Sequence, residues 1–564
     1  MPCGNAVGGD TMRKLPMLIF LRFLETHRKA VVVSVLGTIF VGGAFLRLWG
    51  LGSAEIFHDE GLYAFRSIGY VDYLQNDQQS TPIQWFKDAP ILPFWTHLSF
   101  HDHPPLFFIV QHFFFVLFGE SLFVARLPSV VAGLLSIILV YFIAKRLAKN
   151  EVFALFAAAL LAVNHIHVWL SRSSLLEALL LFFIFLSFWS FLRYLENERS
   201  WWIFGISLGA ILLTKYTGGI VIPLYVLYLF IFRRERFRSL RLLGISAIAL
   251  LMVSPVLIYN FFLLKTVGHF DLQLSFLFGQ AVPEWAASIG KLQSPFWELP
   301  QNLFAMYSIP FLVAVLGGIV FSFMLWGRTR SPYLFFGWGG ILTVTLLLII
   351  VGSAYRFLGL YVPFFITFVV IAFAYCYRRW GASWIFMILA VSFLVYESVF
   401  TVQSLFFEFP DFGIVRLDRY LDSVFDGKRS STLPVSSNPY LNAIIKSSAE
   451  RYPQGDKPWL LIYDENLSLP PRLWVFTRRL LYHGIPTVTP LQFKALLKER
   501  GAEALKGYEV VFAKAEKNTY LNPFLNTPDA AELQHFLSAD LHLTPAVISD
   551  ARGREMFKVF RFTL

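Results

Sequence analysis

Charge is scarce in this chain: Asp, Glu, Lys and Arg make up 15% of 564 residues, against 56% hydrophobic residues and a mean hydropathy of +0.58. A soluble protein of this length has too little polar sequence to cover that much apolar surface. The composition therefore excludes an ordinary globular enzyme and indicates a polytopic membrane protein. Cysteine is nearly absent. Cys3 and Cys376 are the two in the chain, the second beside Arg378 and Arg379, so no disulfide framework is available to the outward parts. No internal repeat is visible, and the region beyond residue 402 has no low-complexity tract and no Gly-rich phosphate loop. The stretch 1–29 has no small-residue cleavage site after a clean apolar core, and is expected to be a cytoplasmic lead rather than a removed signal peptide.

What is present is helix-length apolar sequence. The net charge of +11 does not indicate nucleic acid, because Lys and Arg fall in short clusters between apolar runs, where the positive-inside pattern puts them. The 61 Phe lie mostly inside those runs, which lipid-facing and interhelical packing explains without a cofactor. Spans are predicted over 30–48, 127–144, 152–169, 175–192, 201–214 and 217–232, then over 242–260, 303–326, 333–354, 357–374 and 383–402. With these eleven crossings, the basic clusters at 13–29, 144–149, 193–199, 233–241, 327–330 and 377–380 all share one side, the cytoplasmic one. That parity requires "PPLFFIVQHFFFVLF" (104–118) to lie along the outer interface instead of crossing; it falls short of the ~20 residues a span needs.

Beyond residue 402 the sequence reads as soluble protein. "PWLLIYDE", "YEVVFAKA" and "MFKVFRF" are predicted strands, and "TPLQFKALLKERG" and "DAAELQHFL" predicted helices with Thr or Asp caps. The expected fold class is mainly α. A membrane helical bundle covers 1–402 with a first outer loop over 49–126, and an extracytoplasmic α/β domain covers 403–564.

This topology gathers unusual residues on the outer side. Asp59 and Glu60 stand just beyond the first span, Asp102 and His103 in "HDHPP", and Arg126 at the head of the next helix. Arg172 and Glu177 lie in "SRSSLLEA", Lys215 and Tyr216 in "LLTKYTGG", His269 in "VGHFD" and Arg356 in "SAYRFLGLYVP". Each alone has a plain reading: a cation near a span end snorkels to the interface, His269 is a loop histidine, and Arg172 pairs locally with Glu177. Taken together they converge from separate hairpins, while the cytoplasmic ends carry bases with few acids. Charge inside a bilayer costs ~2.5–3.5 kcal/mol on insertion scales, so such a mixture calls for a purpose. It suits a substrate with a lipid tail in the bilayer, a phosphate at the interface and a transferable group above it. Arg and Lys would hold the phosphate, and carboxylates would handle an acceptor hydroxyl.

At these residues the sequence resembles the integral-membrane GT-C glycosyltransferases. More narrowly, it resembles the family of protein O-mannosyltransferases and aminoarabinose transferases that use polyprenyl-phosphate sugars. The matching features are "DE" followed by "LYA", "DHPPLFF", "RLPSVVAG", "SRSSLLEA", "LLTKYTGG" and "YRFLGLYVP", in family order from residue 59 to residue 363. The resemblance implies transfer of a sugar from a polyprenyl-phosphate carrier, such as undecaprenyl phosphate, to an acceptor hydroxyl or phosphate of a lipid, glycan or protein. It implies the outer face of the bacterial cytoplasmic membrane and inversion at the anomeric carbon.

By the same resemblance Asp59 is the general base, a role typically contributing ~10²–10⁴-fold, and Glu60 orients the acceptor or the loop. Lys215 and Arg356, with Arg126 or Arg172, meet the charge developing on the leaving phosphate. Asp102, His103, Tyr63 and His269 stand near donor phosphate or sugar, and Glu177 matches the second acidic position. No cofactor is implied; Asp59, Glu60 and Asp102 offer ligands to a divalent ion, but none is expected. The chain departs from aminoarabinose transferases at Leu62, where they commonly carry Arg, and at His103, where they commonly carry Lys. It also lacks the outer β-trefoil layout of eukaryotic mannosyltransferases. The alternative function is a transporter or flippase for a lipid-linked sugar. Transporters place charge near mid-membrane between repeated halves, whereas here charge crowds the outer ends and no repeat is visible.

Overall fold

The computed structural model describes residues 27–57, 59–71, 103–197, 199–280, 295–326, 331–380 and 384–564. The membrane part is built from α1 (Arg28–Leu48), α2 (Glu60–Gly69), α3 (Leu106–Phe118), α4 (Leu122–Ala148), α5 (Glu151–Val163) and α6 (His165–Arg172). It continues through α7 (Leu176–Asn197), α8 (Trp201–Thr214), α9 (Val221–Phe232), α10 (Leu240–Val267), α11 (Leu272–Leu277) and α12 (Pro295–Met306). It ends with α13 (Ile309–Trp326), α14 (Pro332–Val351), α15 (Val362–Trp380) and α16 (Trp384–Val402). Among the described residues seven helices are long and apolar enough to cross a membrane, and two bent pairs raise that to nine. The predicted spans 201–214 and 217–232 correspond to shorter apolar helices, as does α3.

The bent pairs are where simple apolar runs conceal geometry. The run 152–169 breaks between α5 and α6 with a 55° bend, and 303–326 breaks between α12 and α13 with a 115° bend. At the first break Asn164 accepts the His167 backbone N–H at 3.2 Å and starts α6 afresh. The carbonyls this frees at the end of α5 are taken up by the buried guanidinium of Arg47, which donates to Ala162 and Leu161 at 3.0 and 3.4 Å. Phenylalanine does the packing expected of it. Phe191 touches Phe204, Tyr225, Tyr228 and Phe336 at ring-centroid distances of 4.8–5.7 Å, which locks α7, α8, α9 and α14 together.

After α16 come α17 (Ile414–Phe425), α18 (Pro439–Ala449) and a five-stranded sheet in the order β2-β1-β3-β5-β4. β1 (Trp459–Tyr463) runs parallel to β2 (Thr487–Val488) and to β3 (Glu509–Ala515). β5 (Glu555–Thr563) is antiparallel to both β3 and β4 (Ala546–Ser549). The predicted helices are present at Pro490–Arg500 and Asp529–His535. Thr489 forms a full capping box with Gln492. Asp529 differs from its expected capping role: it sits inside the first turn, after Pro528, where a carboxylate complements the helix dipole.

Candidate active site

The chain leaves α1 through a turn at Leu51–Ser53 and enters α2 at Glu60, with Asp59 at the N-cap position. Adjacent residues at a helix start point in different directions, and the two carboxylates have separate partners. The Asp59 side chain is 35% exposed and accepts from Arg356 Nη1. The Tyr63 hydroxyl, one turn along α2, reaches Asp59 Oδ2 at 3.4 Å and His103 Nε2 at 3.2 Å. Arg356 is the second residue of the 3₁₀ segment Tyr355–Tyr361 that joins α14 to α15.

Glu177 stands in the first turn of α7, and Lys215 follows the last residue of α8. An extended backbone at Lys215 (φ −162°, ψ 129°) ends α8 there, and its ammonium lies 2.6 Å from Glu177 Oε1. Arg356 Nε lies 3.8 Å from the same oxygen. The Phe357 ring underlies both cations, 4.5 Å from Lys215 Nζ and 5.2 Å from the Arg356 guanidinium carbon. Four charges from four separate parts of the chain thus alternate in sign: Asp59, Arg356, Glu177, Lys215. Burial grades along the row. Lys215 and Glu177 are 4% and 3% exposed, whereas Asp59 opens to water. Buried charges act with little solvent screening, so this row is strongest at its inner end.

His103 joins the cluster through Tyr63. Burial first, then the neighbouring cations Lys215, Arg66 and Arg356, push its imidazole well below the usual histidine range, against the opposing pull of Asp59. It is therefore a neutral hydrogen-bonding group.

The structure places Glu60, Arg126 and Arg172 differently from the other expected site residues. Glu60 is buried and accepts Arg126 Nε at 2.6 Å, Arg126 Nη2 at 2.8 Å and the Ser174 backbone N–H at 2.7 Å. The same guanidinium donates to the carbonyls of Leu51, Ala54 and Glu55. Arg172 donates to the carbonyls of Leu46, Arg47 and Trp49 at the end of α1 and lies over the Phe406 ring. Glu177 takes Lys215, not Arg172, as its close partner. Arg126 thus ties the Glu60 carboxylate to three backbone carbonyls, and Arg172 holds the carbonyl end of α1.

Tyr216 belongs to a second network. Its centre is Asp271, which sequence reading passed over. Asp271 is fully buried and accepts from the Tyr216 hydroxyl and Asn260 Nδ2, each at 2.8 Å, and from the N–H groups of Gln273 and Leu274 at the start of α11. His269 Nδ1 lies 2.7 Å from the Phe270 carbonyl oxygen. The signal for Asp271 was an Asp immediately ahead of an apolar turn, a cap pattern. Asp102 lies outside the described residues.

Comparison with known proteins agrees with this architecture. Residues 102–259 match the family model described as dolichyl-phosphate-mannose-protein mannosyltransferase. Over 254 residues the chain is 23% identical to undecaprenyl phosphate-alpha-4-amino-4-deoxy-L-arabinose arabinosyl transferase 2 of Proteus mirabilis (strain HI4320), an alignment spanning 44% of each protein. The crystal structure of ArnT from Cupriavidus metallidurans bound to undecaprenyl phosphate superposes with a TM-score of 0.54 at 16% identity, covering 95% of this chain and 98% of that one. The apo form of the same protein gives 0.52 over the same shares. The chain has the GT-C polytopic membrane fold. The resemblance to polyprenyl-phosphate-sugar transferases read from its motifs also holds in these independent sequence comparisons, across part of its length.

Proposed function

We propose that this chain is a membrane glycosyltransferase that moves a sugar from a polyprenyl-phosphate carrier to an acceptor hydroxyl or phosphate on the outer face of the bacterial cytoplasmic membrane. The observation that carries the reading is the row Asp59–Arg356–Glu177–Lys215, drawn from distant segments and graded from exposed to buried. Asp59 takes the proton of the acceptor hydroxyl as its oxygen bonds to the anomeric carbon. The bond from that carbon to the carrier phosphate breaks, the phosphate leaves with the electron pair, and the anomeric centre inverts. Arg356 and Lys215 meet the charge on the departing phosphate. A phosphate at Arg356 competes with Asp59 for the guanidinium, so donor binding frees the carboxylate to act as base.

In this reading Glu177 keeps Lys215 charged and aimed, Tyr63 and neutral His103 orient Asp59, and Asp271 holds Tyr216 beside Lys215. Glu60, Arg126 and Arg172 are struts. The N-terminus is cytoplasmic, the C-terminal domain is extracytoplasmic, and α3 lies along the outer interface. The acceptor is a lipid, glycan or protein, and no divalent ion takes part.

The test is to reconstitute the chain in lipid nanodiscs and supply polyprenyl-phosphate sugars with candidate acceptors, with and without chelator. Sugar transfer that survives chelation is the expected result. A lipid-linked sugar that changes leaflet in vesicles without being cleaved would support the flippase alternative and count against transfer. Cysteines at both ends of α3 are expected to label from outside.

A further inference from the structure

The segment carrying Asp59 is gripped from two sides. From the membrane part, Arg126 holds the Leu51, Ala54 and Glu55 carbonyls and the Glu60 carboxylate. From the opposite side the C-terminal domain closes on the same few residues. The Glu55 carboxylate is buried at 8% exposure and accepts the backbone N–H groups of Phe412, Ile414 and Val415 at 3.1, 3.1 and 3.2 Å, besides that of Ile56 at 2.9 Å.

Two of those N–H groups open α17. A helix start presents unpaired donors and the positive end of its dipole. The N-cap residue of α17 is Gly413, with φ +71° and no side chain to serve as a cap. Glu55 supplies that cap from 359 residues away in sequence. Two positions on, the Phe57 ring stacks on Phe412 and Tyr520 at 6.2 and 6.0 Å and meets Phe409 edge-on at 5.7 Å. Arg419 of α17 donates to the Gly52 carbonyl at 3.0 Å, and Gly61 lies so close to the Pro470 carbonyl that no Cβ would fit.

An apolar side chain at position 55 would avoid the cost of desolvating a carboxylate. What it would lose is direction: a carboxylate on three named N–H groups fixes one register between the loop and α17. We infer that the C-terminal domain is a working part of the catalytic unit, with Glu55 as a positioning residue that latches α17 to the segment bearing Asp59. The inference rests on the reading of Asp59 as the base. Misplacing a reacting group by ~1 Å can cost on the order of 10²-fold in rate, so a slackened latch acts on turnover.

The test compares Glu55→Gln and Tyr520→Leu with the wild type and with Asp59→Asn, all as full chains in nanodiscs. It measures kcat, acceptor KM, undecaprenyl phosphate affinity and melting temperature. Both variants are expected to lose about tenfold or more in kcat while undecaprenyl phosphate affinity stays unchanged. Tyr520→Leu carries no charge change, so it decides alone if Glu55→Gln fails to fold. Wild-type kcat in the folded variants overturns the latch, as does an equal loss of kcat and ligand affinity, which is general disruption of the pocket. Wild-type turnover in Asp59→Asn removes the base instead, whatever Glu55 does, so the two failures are distinct.

Discussion

Lys215 Nζ lies 2.6 Å from Glu177 Oε1, and both side chains are almost wholly buried. Arg356, paired with Asp59, stands 3.8 Å from the same carboxylate oxygen, so this acid faces two cations. Removing that acid leaves a buried ammonium beside a guanidinium. Breaking a buried pair from one side costs roughly 3–5 kcal/mol, because the survivor remains desolvated. Glu177→Ala is expected to unfold at markedly lower denaturant than wild type. The double variant Glu177→Ala/Lys215→Ala is expected to recover part of the loss, which a double-mutant cycle reads directly. Additive losses would show that the pair is not coupled.

The two kinds of arginine separate in a binding experiment. Arg356→Ala is expected to weaken undecaprenyl phosphate binding about 10-fold or more, the scale of a hydrogen bond to a charged group (roughly 1.5–3 kcal/mol). Arg126→Ala strips Glu60 and three carbonyls of their donor, and its expected effect is a fall in melting temperature. The Arg126→Ala protein that remains folded is expected to bind the lipid phosphate as wild type does. Equal weakening by both variants would place Arg126 at the phosphate.

His103 gives the pH behaviour its sign. Its imidazole is held well below the usual range, first by burial and then by Lys215, Arg66 and Arg356. The unfolded chain therefore takes up this proton near pH ~6.5 while the folded one does not. The neutral ring's contribution to stability is present above that pH and is lost as pH falls below it. The kcat–pH profile is expected to show no limb near 6.5 from this residue, and His103→Gln to keep the profile's shape. An acid limb near 6.5 that disappears in His103→Gln would mean that the ring is charged in the working site.

Much of this arrangement was legible in the sequence. Apolar length located the helices, and the rarity of charge made Asp59, Glu177, Lys215 and Arg356 conspicuous, since each sits at the end of an apolar run. Order and type were enough to group them. Pairing was not. Nothing in "HDEGLYA" tells which of two adjacent carboxylates turns outward to Arg356 and which turns inward to Arg126, because that depends on how α2 is rotated against α4. The breaks at Asn164 and near Ser308 were hidden for a similar reason: a bent pair and a straight span have the same composition. Glu55 carries no signal in the sequence because its partners lie in the C-terminal domain, some 360 residues on. Long-range partners of short polar side chains are set by tertiary packing, which periodicity does not carry.

The proposed transfer depends on the carboxylate at position 59. Asp59→Asn keeps the shape of the side chain and removes its capacity to take a proton. In a reconstituted transfer assay the variant is expected to fold normally, to bind undecaprenyl phosphate as wild type does, and to lose turnover by at least ~10²-fold. Turnover close to wild type in that protein would contradict the account.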